Sequence, residues 1–217
     1  PCALYVLDND QLVRYGALTI PEILRLAPNM HVYQKSPSKW VVTARGLNGW
    51  PFAQSFSNKL LVLIDGRTVY SPLFSGVYWD MQDVLPEDID RIEVISGPGA
   101  TWWGANAVNG VINIITRDSR DTQGPAFHAT AGGRELDLAA RFGGRLGETG
   151  AYRIAISGFD RAPTFPTSAA DASSDRFKGG QVAFRVDNEV GPDHWRVQGA
   201  AFDAYAPLGA ERVAGGN

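Results

Sequence analysis

The sequence predicts two kinds of structure in series: an α+β domain over residues 1–123, then antiparallel β-strands over residues 124–217 with the alternation of a transmembrane barrel. Three observations predict it. Glycine accounts for 24 of 217 residues, well above the ~7% of average usage, which favours tight turns over a helix bundle. Helix-cap and hairpin signals are interleaved before Gly124. After it, apolar and polar residues alternate in segments of membrane-strand length.

Taken in order, "ALYVL" (Ala3 to Leu7) reads as a short strand, and "DNDQLVRYG" as a short helix stopped by Gly16. In "TIPEILRLAPNM", Thr19 and Glu22 stand at capping-box spacing, Pro21 falls in the first turn and Pro28 lies just past the end. Ile20, Ile23, Leu24 and Leu26 give this helix its apolar stripe. "VVTARG" and "LLVLIDGRTVY" read as strands, the second folded back at Asp65-Gly66, a hairpin dipeptide. "PEDIDRIEVI" predicts a proline-started turn of helix running into a strand. Another strand, Val111 to Thr116, follows a loop of small residues and two adjacent indoles, "SGPGATWWGANAVNG". Its small residues permit close backbone approach, and Asn109 and Asn113 offer amides that can bond neighbouring backbone. A phosphate loop is excluded there, because Trp102 occupies the third glycine of G-x-G-x-x-G and no Gly-Lys-Ser/Thr follows.

Beyond Gly124, five segments alternate: "AFHATAG", "ELDLAARFGG", "AYRIAISGF", "GGQVAFRVDNEV" and "HWRVQGAAFDAY". Leu136, Leu138, Ala140 and Phe142 share one face, against Glu135, Asp137 and Arg141 on the other. Tyr152, Ile154 and Ile156 oppose Arg153 and Ser157, and Val182, Phe184 and Val186 oppose Gln181, Arg185 and Asp187. "GETG" and "GPDH" are tight turns, whereas "RAPTFPTSAADASSD" is a long polar connection, the asymmetry of an outer-membrane barrel. A soluble antiparallel sandwich alternates too, and on this half alone both architectures stand.

Composition removes several function classes. A net charge of -3 with scattered arginines gives no basic face for nucleic acid. The single cysteine, Cys2, cannot form an internal disulfide, and His31, His128 and His194 are too dispersed in sequence to suggest a metal site. No cofactor motif is present. No Gly-x-Ser-x-Gly elbow, HExxH or Cys/His nucleophile pattern points to an enzyme. The longest clear apolar run, Leu60 to Ile64, is far shorter than the ~18 residues of a membrane helix, which leaves strands as the route across a bilayer.

The motifs "IPEILRLAPNMHV", "TARGL", "LVLIDGRTVYSP", "DIDRIEVISGPGATWWGANAVNGVINIIT" and "TQG" follow one another in an order that closely resembles the plug domain of TonB-dependent outer-membrane receptors. The resemblance implies an α+β plug domain (1–123) followed by the first antiparallel strands of an incomplete transmembrane β-barrel (124–217), a fragment of a receptor of roughly 22 strands. It implies active import of a scarce ligand of the iron-siderophore, haem or cobalamin class across the outer membrane of a Gram-negative bacterium, without enzymatic chemistry. The implied partners are TonB, through a box not present in this chain, a small molecule such as a metal chelate, and outer-membrane lipid.

By position, the resemblance places ligand contacts in two apical loops, on Trp50, Phe52, Tyr70, Phe74, Tyr78 and Trp79, an aromatic platform with polar handles. It places plug–barrel contacts at Arg45, Arg91, Glu93, Trp102 and Trp103. Two departures stand out: Ser96 replaces a common arginine before Gly-Pro, and Asn29 replaces a common glycine after Pro28. Two alternatives remain open at this point. One is a ligand-sensing, signal-transducing receptor of the same fold. The other is a soluble plug-like binding module, which requires the alternating apolar face of the second half to be buried in protein.

Overall fold

The computed structural model describes residues 3–45, 59–71, 76–82, 84–163 and 175–205. The chain divides into two compact units, Pro1–Lys35 with Lys39–Thr122, and Ser36–Ser38 with Gln123–Asn217. Among the described residues no helix is long and apolar enough to cross a membrane.

The first unit runs β1 (Ala3–Asp8), α1 (Asn9–Tyr15), α2 (Ile20–Leu24), β2 (Met30–Gln34), β3 (Trp40–Ala44), β4 (Leu60–Ile64), β5 (Arg67–Thr68), β6 (Ile89–Ser96), α3 (Ala100–Trp103) and β7 (Gly110–Thr116). Its helix ends are fixed by local chemistry. The Asp8 carboxylate accepts from the Gln11 N–H at 2.8 Å while the Gln11 side chain accepts from the Asp8 N–H, and Gly16 ends α1 at φ 68°. Thr19 and Glu22 form the expected box around α2. Asp65 and Gly66 both take positive φ, 50° and 81°, as a type I′ hairpin turn requires, and join β4 to β5. The Asp65 carboxylate then accepts from the N–H and hydroxyl of Thr116, both at 2.8 Å, tying the turn to the end of β7.

The main sheet has the order β1-β6-β7-β4-β5, antiparallel except for the β4–β7 pair. Register sorts its residues by parity. Ile92 and Val94 lie opposite Ile114 and Ile112, which lie beside Ile64 and Val62. These six share a face and bury into one core with Leu12, Ile20, Ile23 and Leu24 of the helices. Arg91, Glu93, Ile95, Val111, Asn113, Leu61 and Leu63 occupy the other face. The strand β2, paired with β3 in a separate two-stranded sheet, was not among the strands read from the sequence. Asn29, just before it, adopts φ 63°, a conformation asparagine tolerates better than most residues.

The second unit is a meander of β8 (Gly124–Ala131), β9 (Glu135–Leu146), β10 (Gly150–Arg161), β11 (Phe177–Val190) and β12 (Asp193–Tyr205), each pairing only with its sequence neighbours. Residues 147–149 and 191–192 turn tightly at one end, and Arg161 and Phe177, where β10 ends and β11 begins, are paired at the other. On one face Ile154 stands between Phe142 and Phe184, and Ile156 between Ala140 and Val182. This apolar face is the exposed one: Ile154 is 51% exposed, Ile156 57% and Phe127 83%. Trp195 and Tyr205 mark the two ends of β12 on the same face. The opposite face carries Asp137, Arg153, Arg161, Arg185 and Asp187, and Arg153, Arg185 and Asp187 are buried. A soluble sandwich requires the reverse arrangement, so that reading fails. The five strands form an open sheet with the sidedness of a membrane barrel.

Candidate functional site

At one end of the main sheet Leu60, Gly110 and Ser96 are cross-strand neighbours, so β4 and β7 begin where β6 ends. Past that row, Gly97 donates to the Asn109 carbonyl at 3.1 Å and Gly99 to the Ala107 carbonyl at 2.8 Å, extending the β6–β7 ladder. The tip carries the short helix α3 within the stretch that the sequence reads as a loop, and the N–H groups of Trp102 and Trp103 both donate to the Gly99 carbonyl. Gly110 is obligatory here, and Gly99 is tightly fitted. A Cβ on Gly110 would meet the Ile95 carbonyl oxygen at 2.6 Å, and one on Gly99 would lie 3.3 Å from the Trp103 ring. Trp103 therefore lies over Gly99, 38% exposed, whereas Trp102 projects with 90% of its surface free.

Asn109 is buried in this row and binds in three directions. Its N–H donates to the Lys59 carbonyl at 2.9 Å, its side-chain amide donates to the Ala44 carbonyl at 3.2 Å, and its own carbonyl receives Gly97. Ala44 ends β3, and the next residue, Arg45, is exposed at φ 55° with its N–H on the Asn29 carbonyl. A non-glycine residue in the left-handed region is uncommon, and this one marks where the chain departs toward the first aromatic loop.

On the sheet face away from the helices, Arg91 pairs with Glu93 at 2.9 Å and with Asp90 at 2.7 Å, and Glu93 accepts from the Asn113 amide at 2.9 Å. The Glu93 hydrogen bond first, and then that of Asp90, raise the Arg91 guanidinium above its ordinary value. Arg91 is 42% exposed, so each pair contributes at most about 1 kcal/mol. The network links Arg91 to Glu93, two residues apart on one face of β6, and adds Asp90 and Asn113, which sit one residue before Arg91 and directly across the ladder from Glu93.

In the second aromatic loop, Ser71 and Gly76 exchange hydrogen bonds at 2.8 and 3.3 Å, closing the ends of the 72–75 segment. Beyond it, Val77 and Trp79 enter the core while Tyr78 and Asp80, at the alternate positions, are half-buried. Burial, then the Asp80 charge, raises the Tyr78 phenol. Burial also raises the Asp80 carboxyl, opposed in part by the Asp80 and Met81 backbone and by Lys39. Of the aromatic candidates, Tyr70 and Tyr78 are half-buried, and Trp79 is a core residue at 8% exposure whose ring packs the fold. Trp50, Phe52 and Phe74 lie outside the described residues. The alternation Val77-Tyr78-Trp79-Asp80 was the sequence signal that separates Trp79 from its neighbours.

The polar face of the second unit holds a shared ion pair that no single sequence motif announces. Arg185 grips Asp187 through two bonds, at 2.6 and 3.0 Å, and Arg196 reaches the same carboxylate at 3.3 Å from the adjacent strand. Arg161 pairs with Asp137 at 3.0 Å across β9 and β10.

The family described as the TonB-dependent Receptor Plug Domain matches residues 1–111. The chain belongs to the TonB-dependent receptor family. These are receptors of the Gram-negative outer membrane and not enzymes, which accords with the lipid-type sidedness of the second unit. The vitamin B12 transporter BtuB of Photobacterium profundum is 30% identical over 198 residues, covering 88% of this chain and 30% of that protein. The ferric enterobactin receptor PirA of Pseudomonas aeruginosa is 32% identical over 111 residues, covering 47% of this chain and 14% of that protein. The crystal structure of the ferric-catecholate import receptor Fiu from E. coli K12 superposes with a TM-score of 0.66 at 19% identity, covering 94% of this chain and 27% of that one, and shares its fold. The chain thus spans less than a third of the length of these TonB-dependent relatives.

Proposed function

We propose that this chain is the plug domain, residues 1–123, and the opening strands of the barrel, residues 124–217, of a receptor that imports a scarce metal chelate across the outer membrane with energy delivered by TonB. The observation that carries the reading is the reversal of sidedness at the second unit. A plug-family sequence leads directly into a sheet whose apolar face is exposed and whose polar face is buried. Relatives named for vitamin B12 and for ferric enterobactin support the class of large metal chelates rather than either compound alone. Tyr70 and Tyr78, with Trp50, Phe52 and Phe74, are the proposed ligand contacts, since aromatic rings with polar edges suit flat chelates and catechols. Arg45, Arg91, Glu93, Trp102 and Trp103 are the proposed contacts of plug with barrel.

The test is uptake. Cells carrying the intact receptor as their sole route for either compound are given radiolabelled ferric enterobactin or cyanocobalamin, with and without a functional TonB. TonB-dependent accumulation of one of them supports the reading. Accumulation of neither, from a receptor shown to be in the outer membrane, overturns both of these chelates as its cargo, and accumulation without TonB overturns the mechanism.

A further inference from the structure

At one end of the second unit a row of four side chains crosses the outward face. Leu136 lies opposite Asp160, Asp160 opposite Lys178, and Lys178 opposite Tyr205. The chain between Arg161 and Phe177 at this end is longer than the turns at 147–149 and 191–192, which marks it as the extracellular end of a barrel. Arg176 turns back onto the row and donates to the Asp160 carboxylate through Nε at 2.8 Å and through a second guanidinium nitrogen. Lys178 holds its ammonium 5.7 Å from the centre of the exposed Tyr205 ring, and among the described residues no carboxylate lies within ion-pair distance of it. One row deeper, Gly158 and Gly180 stand side by side and leave a notch. A Cβ on Gly158 would meet nothing nearer than the Gly179 carbonyl oxygen at 3.8 Å. Below the notch, Ile156 and Val182 are exposed. We propose that Arg176, Lys178 and Tyr205 bind the phosphorylated headgroup of an outer-leaflet lipid, with an acyl chain lying over the notch and the Ile156–Val182 row. This inference rests on the reading of the second unit as barrel strands and not on the receptor's cargo.

The chemistry follows from where the row sits. A lysine at the end of an apolar face lays its stem on that face and lifts its charge to the interface, the level at which tyrosine rings also rest. A cation held there without a protein counter-ion attracts the negative groups of that level, which are lipid phosphates. Arg176 presents a planar fork that fits carboxylate and phosphate alike, so Asp160 competes with the lipid for it. Asp203, across from Gly180 at the notch, places a second carboxylate close by. The two acids oppose a phosphate, and removing Asp160 should therefore strengthen the site. A rim whose ion pair served only to hold the strand ends together would respond in the opposite sense.

Native mass spectrometry of the intact receptor, released from detergent, reads bound lipid directly. The probes are lipid A with its phosphates, the same lipid with its phosphates removed, and inorganic phosphate. The parent should retain the phosphorylated lipid in preference to the dephosphorylated one. Lys178→Gln should weaken that retention about fivefold, the effect of one cation at a charged bilayer surface, and Lys178→Arg should preserve it. Asp160→Asn should strengthen it. Arg67→Gln, at an exposed cation of the first unit, should leave it unchanged. Equal retention of the two lipids overturns the site, as does unchanged retention in Lys178→Gln or weaker retention in Asp160→Asn. A loss in Arg67→Gln equal to that in Lys178→Gln reduces the effect to overall charge and overturns it too. Displacement of the lipid by inorganic phosphate overturns the lipid as occupant. None of these readouts involves uptake, so the import reading and this site stand or fall separately.

Discussion

The two sheets of this molecule obey the same alternation and bury opposite halves of it. In the first unit, Ile92, Ile112 and Ile114 are fully buried, and the charged Arg91–Glu93 pair sits on the partly exposed face. In the second, Ile154 and Ile156 are more than half exposed, and Arg185 and Asp187 are buried. A period of two reports a strand with two unlike faces. It does not report which face the solvent prefers, because that depends on whether the solvent is water or lipid. Connection lengths and the plug-like sequence ahead of the strands supply that information instead.

Substitutions that treat the two sheets alike should separate them. Truncation is expected to hurt the first sheet more. Ile112→Ala leaves a cavity in a closed core and should cost about 2–5 kcal/mol, whereas Ile154→Ala, on an open face beside Phe142 and Phe184 where acyl chains can fill the space, should cost about half as much. Denaturant titrations of the intact receptor in lipid vesicles, read by a probe in each unit, measure both, and equal costs would erase the distinction. Charge is expected to hurt the second sheet by its outward face alone. Ile154→Arg at mid-strand should cost about 2–4 kcal/mol in lipid, and Ala200→Arg, on the polar face of β12 and opposite Ala183, close to nothing.

Smaller effects sharpen the first unit. Thr19→Ala removes the oxygen that caps α2 and should lower the stability of the plug by about 1 kcal/mol in the same titration, without affecting the strands beyond Gly124. Asp80 should show the weakest effect and a characteristic pH dependence. Burial raises its carboxyl, so the folded plug favours the protonated form. Its contribution is therefore fully present below the ordinary carboxylate pKa and is lost as pH rises through the raised value. Asp80→Asn should match the parent in strong acid and exceed it in stability near neutrality. A parent that instead gains stability over that pH range relative to Asp80→Asn would contradict the assigned direction.

Much of the fold was legible because its signals are local. The Thr19–Glu22 box, the Gly16 stop and the Asp65-Gly66 turn each complete their hydrogen bonds or unusual φ within a few residues. The strands beyond Gly124 were legible from alternation and turns. What escaped has physical reasons. In β2, Met30 and Val32 face the core and alternate with exposed His31 and Tyr33, but the run is only five residues long and places an aromatic ring on its outward face, so its period is too short to stand out. The parallel pairing of β4 with β7 joins residues some fifty positions apart, which no local pattern encodes. Trp79 was grouped with the other loop aromatics because the alternation that marks it, Val77 and Trp79 inward against Tyr78 and Asp80, runs for only four residues inside a ring-rich loop. The amides of Asn109 and Asn113 were visible as donors, but their acceptors, on Ala44 and Glu93, are supplied by the tertiary fold.

Trp195 and Tyr205 together form a ruler. The two rings stand ten positions apart on the outward face of β12. At about 3.4 Å per residue that is roughly 34 Å along the strand, and a tilt of about 40° brings it to roughly 26 Å along the membrane normal. Rings of this kind rest at the headgroup level, so the spacing matches the ~25 Å apolar band of outer-membrane barrels and the thinner-than-average bilayer in which they reside. Vesicles of progressively longer lipids would pull the two anchors out of register with their interfaces. A single strand thus records, in the distance between two aromatic side chains, the thickness of the membrane for which the protein was made.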